Sequence, residues 1–266
     1  MLLRHQWRRE APGLLGWSLA LSATMVPTVL LVQLLLTGNT AEELTRLLQQ
    51  LPPTLLSFLG QSTEMMTLNA WMISLVFRTL APLLLTVYTA LGALSILTRD
   101  MDTRNMDFLL ALPVRRYQVL LNRFAVLASN LAVLHAVLLA SVGVGVMLLG
   151  HKPGWSAYAV MALNGFLVQL ALASLLLAVT VLVDDYTRGL FITIGVGLAL
   201  YSLPVAIEPV SRLGPLRKLS VFAYAQPAEV MKTGAIPPAD AAVLVAATLA
   251  LTMCSVLLFE RKQLSA

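Results

Sequence analysis

The chain has 266 residues, 58% of them hydrophobic and 12% charged, with a net charge of +5 and a mean hydropathy of +0.83. A soluble domain carries about 25% charged residues, so this composition excludes a water-soluble globular protein and marks an integral membrane one. Alternating polar and apolar segments of about 10 residues, as in a β-barrel, are not visible, whereas apolar runs of roughly 20 residues recur; the fold class is all-α integral membrane. The positive charge sits at the ends of those runs, where anionic membrane lipids rather than nucleic acid are the expected neighbours. Cys254, the single cysteine, lies deep in the last apolar run and is expected to pack as a small buried hydrophobe. One cysteine makes neither a disulfide framework nor a thiolate metal site.

In chain order, Leu3 and Trp7 share one helical face of the N-terminal segment and Arg4 and Arg8 another, the pattern of a helix lying in the headgroup plane. A first span follows at 11–36, too long for a signal-peptide apolar core and without an A-x-A cleavage site. The loop from Gly38 to Asn69 has helical signals of its own. Thr40 and Glu43 make a capping box, and Leu44, Leu47, Leu48 and Leu51 form one apolar stripe that ends at Pro52-Pro53. Further spans are predicted at 71–97, 124–149, 157–183, 190–207 and 239–259, with a second irregular segment between Glu208 and Pro238. The whole chain, 1–266, then forms one transmembrane domain of six spans. It has an interfacial N-terminal helix and helical insertions before the second and sixth spans.

Orientation follows from Lys and Arg in the short loops. Arg4, Arg8, Arg9, Arg99, Arg104, Arg115, Arg116, Arg123, Arg188, Arg261 and Lys262 fall on one side. Arg46, Lys152, Arg212, Arg217, Lys218 and Lys232 fall on the other, with Arg78 near that end of its helix. The majority side is the cytoplasm, so both termini are expected there, in a cytoplasmic membrane. The last external segment is itself basic, which weakens the bias.

The long polar interruption between the second and third spans, Thr98 to Arg123, reads TRDMDTRNMDFLLALPVRRYQVLLNR. Asp100 precedes Arg104 by four residues, the favourable order for a helical ion pair, while Met101, Phe108 and Leu112 line another face. The helix is expected to break before Pro113, because the residue preceding proline avoids the helical region, and Pro113 suits the first turn of the next helix. Spacing alone fits an arginine-anchored interfacial loop as well as a docking surface for another protein.

This segment resembles the signature of ABC-2 type permeases, the membrane subunits of one class of ATP-driven exporters. Their pattern has acidic residues, Gly-Thr-Leu-Glu, Leu-Leu, a short gap and Pro-Val-Ser-Arg. Here Asp100 and Asp102 stand at the acidic positions, Asp107 at the Glu, and Leu109 and Leu110 at the double leucine; Pro113, Val114 and Arg116 complete the pattern. Arg104-Asn105 replaces Gly-Thr and Arg115 replaces Ser. The resemblance extends to the six spans, the amphipathic N-terminus and the helical insertions. It implies that 98–116 is a coupling helix seated on a separate nucleotide-binding subunit. Asp100, Asp102, Arg104, Asp107, Phe108 and Leu109 would meet that ATPase. It also implies that the permease works as a pair, with a second copy or a related chain, and that ATP and Mg are held by the partner subunit. The chain has no G-x-x-x-x-G-K-[ST] motif, so it is expected to hydrolyse no ATP and to bind no cofactor.

Other candidates are weaker. Arg78 within a span is a functional candidate by default, although it can snorkel outward. Asn130 and His135 on the third span, with Asn164 and Gln169 on the fourth, are candidate interhelical hydrogen-bond partners first and substrate-path residues second. Gly195 and Ala199 form a small-xxx-small pair that fits a dimer seam. Asp184 and Asp185 are adjacent, so they do not face each other on a helix; a solvated turn, or a second contact with the ATPase, is the expected role. An intramembrane serine protease needs a His on a helix after its Ser, but the histidines are His5, His135 and His151, none beyond the fourth span. No H-E-x-x-H zinc motif occurs either. A non-transporting membrane anchor or sensor subunit that binds an ATPase is the alternative function.

Overall fold

The described residues fold into helices and no strands. A computed structural model describes residues 2–37, 46, 50, 68–101, 116–183, 185–207 and 214–261; the side chains of 2–9, 69, 70, 97–101 and 116 lie outside that description. Among the described residues, six helices are long and apolar enough to cross a membrane. They are α1 (Leu2–Leu35), α2, α3 (Arg116–Leu148), α4 (Trp155–Val181), α5 (Tyr186–Ile207) and α8 (Pro238–Arg261). Helix α2 has three consecutive parts: an α-turn Leu68–Trp71, a π-helical stretch Met72–Leu80 and an α-helical stretch Ala81–Met101. Between α5 and α8 lie the short α6 (Gly214–Arg217), a 3-10 turn Val221–Tyr224 and α7 (Pro227–Thr233).

Three boundaries differ from the sequence reading. The N-terminal amphipathic segment is not a separate element, because α1 is one helix with Pro12 and Pro27 inside it. Where hydrocarbon offers the backbone no other partner, a helix accommodates a proline rather than ending at it. The described part of α3 begins at Arg116 rather than Phe124, and α2 runs on to Met101. Arg123 explains how these two ends stay together: its guanidinium donates to the Ile96 carbonyl. The capping box and leucine stripe of 40–51, and residues 102–115 of the polar interruption, lie outside the described residues.

The directions of the helices follow from their contacts. Asn130 bonds Glu10, Ser141 bonds Ser22, and Gly145 abuts Val29, so α1 and α3 run parallel. Thr86 lies against Gly197, Leu94 against Gly189, and Tyr201 reaches Arg78 and Thr79, so α2 and α5 run antiparallel. One end of the bundle, the loop end, therefore holds Glu10, Ile96, Arg123 and Val183. The opposite, cap end holds Leu35, Gly150 and the segment 214–237. At the centre stands α4, packed on α2, α3, α5 and α8; 61% of its apolar stretch is buried, against 17% for α8. Small and polar residues let neighbours approach it: Ala171, Ala173 and Ser174 are all fully buried.

Candidate functional site

Pro82 organises the cap end of α2. Proline has no N–H, and its ring crowds the carbonyl four residues back, here that of Arg78. The helix widens into π geometry just before it, with the Ala81 N–H bonded to the Val76 carbonyl five residues earlier. Thr79 Oγ1 donates to the Ser74 carbonyl at 3.0 Å. From α5, the Tyr201 hydroxyl lies 3.3 Å from the Thr79 carbonyl and 3.5 Å from that of Arg78. A donor on a neighbouring helix thus serves the carbonyls disturbed by the proline, the usual remedy for broken helices in a membrane. Short π stretches of this kind recur at functional sites.

Gln169 of α4 secures the same bend from the other side. It is 2% exposed. Its Nε2 donates to the Pro82 carbonyl at 3.2 Å and lies 3.5 Å from Thr86 Oγ1, while its Oε1 accepts from Thr89 Oγ1 at 3.0 Å. Beside it, Asn164 donates to the Tyr224 carbonyl at 3.4 Å. His135 Nδ1 lies 2.8 Å from the Leu131 carbonyl; a carbonyl only accepts, so Nδ1 carries the proton. The ring fits because position 165 is glycine, where a Cβ would stand 3.3 Å from Nε2. These three polar side chains, with Pro82, Met161 and Phe222, surround a cavity of about 30 Å³. That is room for a water molecule or two and no substrate.

The segment between α5 and α8 lines one side of the cavity with Phe222, Ala225 and Pro227. Ser220 is fully buried; its hydroxyl donates to the Leu200 carbonyl and accepts from the Phe222 N–H, starting the 3-10 turn. Phe222 packs edge-on against Tyr201 with ring centroids 5.5 Å apart. At the far side Gln226 donates to Asp240 at 3.0 Å, and the αL residue Gly234 ends α7. The segment is a cap fitted over α2, α4 and α5. Outside it opens a cleft of about 820 Å³, edged by Arg78, Arg217, Lys218, Lys232, Glu229 and Gln226.

No family model, curated protein or solved structure matches this chain.

The sequence candidates therefore stand on their geometry. Arg78 edges the cleft, and His135, Asn164 and Gln169 surround the small cavity beneath it. Asn130 belongs elsewhere: it donates to Glu10 at 2.7 Å near the loop end, with Tyr88 beside the pair. Gly195 and Ala199 are exposed on an uncovered face of α5 that also carries Phe191 and Ile192. Cys254 is not buried as expected; it lies on the uncovered face of α8, because a helix at the bundle edge turns only one stripe inward. Asp185 caps α5, accepting from the Arg188 N–H at 2.7 Å, and Asp184 lies outside the described residues. So do Asp102, Arg104, Asp107, Phe108, Leu109, Leu110 and Pro113, as do the side chains of Asp100 and Arg116. Sequence reasoning missed Tyr201, Thr86 and Thr89. Pro82 was the available signal, since the carbonyl it orphans demands a donor from another helix.

Proposed function

We propose that the chain is the membrane permease subunit of an ATP-driven transporter of the ABC-2 type, an exporter driven by a separate nucleotide-binding subunit. The observation that carries this reading is the stretch 98–116, with its acidic positions, double leucine and Pro-Val-x-Arg, standing between the second and third spans. Helix α2 continues to Met101 and α3 is tied to it at Arg123, so a push on that loop is transmitted to both helices as one lever. In turn α2 leads through its π stretch to the cap, which makes a route from the loop to the opposite end. Two nucleotide-binding subunits closing on ATP and Mg would supply the state-dependent free energy that a conformational change requires.

On this reading the protein is a multi-pass protein of the cytoplasmic membrane with both termini inside. The N-terminus rests in the headgroups, and the insertions before the second and sixth spans lie outside. The exposed face of Gly195 and Ala199 meets a second permease chain. The alternative reading is a non-transporting anchor or sensor subunit that binds the same ATPase.

The test is co-expression with a candidate nucleotide-binding subunit. Replacing Phe108 and Leu109 with Asp is expected to release the ATPase from membranes while the permease still folds and inserts. Retained stoichiometric binding would falsify the docking role. Substrate-stimulated ATP hydrolysis in liposomes separates exporter from anchor, since an anchor shows none.

A further inference from the structure

Inward of the tie between Arg123 and Ile96, three helices each bring one oxygen-bearing side chain to the same place. Glu10 of α1 is half-buried, and its carboxylate accepts from Asn130 Nδ2 of α3 at 2.7 Å. Tyr88 of α2 interacts with both, and Trp17 holds its ring edge-on, with centroids 5.5 Å apart. Asn130 follows Arg123 by about two turns of α3, which sets the group about 10 Å inside the loop end. An acidic side chain at such a depth in a membrane helix is rare and marks an ion or substrate contact by default.

The amide of Asn130 shows what the group lacks. Asn130 is 1% exposed. A carboxylate only accepts, so the amide nitrogen must face Glu10. That fixes the amide and leaves its Oδ1 buried without a hydrogen-bond partner, which costs free energy. The missing component is a donor, and beside a carboxylate the favoured donor is a cation. A primary ammonium brings one positive charge and three N–H groups, enough for the Glu10 carboxylate, Asn130 Oδ1 and the Tyr88 oxygen. A quaternary ammonium has no N–H and would leave Oδ1 unpaired. A divalent metal takes about six or more oxygens, and among the described residues no three of His, Cys, Asp and Glu gather to hold one. The approach is open: Gly13 shares the stripe of Glu10 and Trp17 at i, i+3, i+7, is exposed and has no side chain to cover the carboxylate. We infer that Glu10, Asn130 and Tyr88 form a binding site for a primary ammonium group. The inference concerns binding alone and holds whether or not the chain transports.

An ammonium group can arrive on a lipid headgroup or in free solution, and the experiment separates the two. The full chain is placed in phosphatidylcholine nanodiscs and titrated with ethanolamine in one arm; in the other, phosphatidylethanolamine is included and the lipids retained are counted by native mass spectrometry. Binding in at least one arm is expected. Glu10→Gln keeps the size and an acceptor for Asn130 but removes the charge, and should weaken binding about tenfold or more. Tyr88→Phe keeps the ring against Trp17 and removes one acceptor, and should weaken it about threefold or more; it decides the matter if Glu10→Gln does not fold. The control Glu260→Gln, which removes an exposed acid at the end of α8, should leave binding unchanged, and choline should not compete. Retention of phosphatidylethanolamine alone assigns a lipid headgroup, and ethanolamine binding assigns a soluble amine. No binding in either arm overturns the site, as does binding that both variants leave intact. Equal loss in the control would reduce the effect to overall charge, and equal competition by choline or sodium would remove the primary ammonium; either result overturns the assignment.

Discussion

Tyr201 and Pro82 make a linked pair that a mutant cycle can resolve. The hydroxyl reaches the Arg78 carbonyl, which Pro82 leaves short of a donor, as well as that of Thr79, so its worth depends on the proline being there. Interhelical hydrogen bonds in membranes are worth about 0.6 kcal/mol on average and up to about 1.7. The Tyr201→Phe variant should lower stability by about that amount, read as the thermal midpoint in detergent micelles. In a Pro82→Ala background the restored N–H serves the Arg78 carbonyl itself, and the same change should cost close to nothing. Equal costs in both backgrounds would show that the hydroxyl does not compensate for the proline. Gln169 gives a stronger case, because an apolar substitute abandons two groups at once, the Pro82 carbonyl and the Thr86 hydroxyl, while the Thr89 hydroxyl keeps the Leu85 carbonyl.

Among the elements, glycines separate contacts that hold the bundle from faces that await a partner. A Cβ at Gly145 would lie 2.8 Å from Val29 Cβ, an atom fixed to the α1 backbone. The Gly145→Ala variant must therefore push α1 and α3 apart, at about 1–3 kcal/mol. A Cβ at Gly195 meets nothing within 4 Å, so Gly195→Leu should leave the thermal midpoint of the single chain within about 0.5 kcal/mol of wild type. If the proposed seam runs along that face, the same variant should convert pairs to single chains in mass photometry, and an unchanged stoichiometry would remove α5 from the seam. This division also marks what the sequence could convey. Six apolar runs were legible because each is long enough to cross hydrocarbon alone, and Gln169 was visible as a polar residue with nowhere to go but another helix. The π stretch was not legible, since apolar periodicity does not distinguish 3.6 from 4.4 residues per turn over nine positions. Nor was the cleft: Arg78 lies more than a hundred residues along the chain from Arg217, Lys218 and Lys232. The basic character of the last loop was readable, but its approach to Arg78 was not.

At the scale of the whole molecule, Ala225 and Pro227 of the cap stand between the cleft and the small cavity beside Gln169, so passage from one to the other is expected to require the cap to lift. Three contacts resist this: Ser220 to Leu200, Asn164 to Tyr224, and the Tyr201–Phe222 ring pair. Met161, 3% exposed, lines the cavity directly below and so reports on opening. In a Cys254→Ser background, Met161→Cys should react slowly with a membrane-impermeant thiol reagent added from the cap side. Ser220→Ala strands both the Leu200 carbonyl and the Phe222 N–H, a loss of about 1–2 kcal/mol. That should raise the open fraction, and with it the labelling rate, by roughly five- to thirtyfold. If the loop end drives the cap through α2, adding the nucleotide-binding subunit with ATP should accelerate labelling of the otherwise unaltered cap as well. The F108D/L109D double variant should abolish that acceleration while leaving the effect of Ser220→Ala intact. Rapid labelling without either stimulus would mean the cap does not seal the bundle. Nucleotide-stimulated labelling that survives loss of Phe108 and Leu109 would mean the force enters somewhere other than the stretch between α2 and α3.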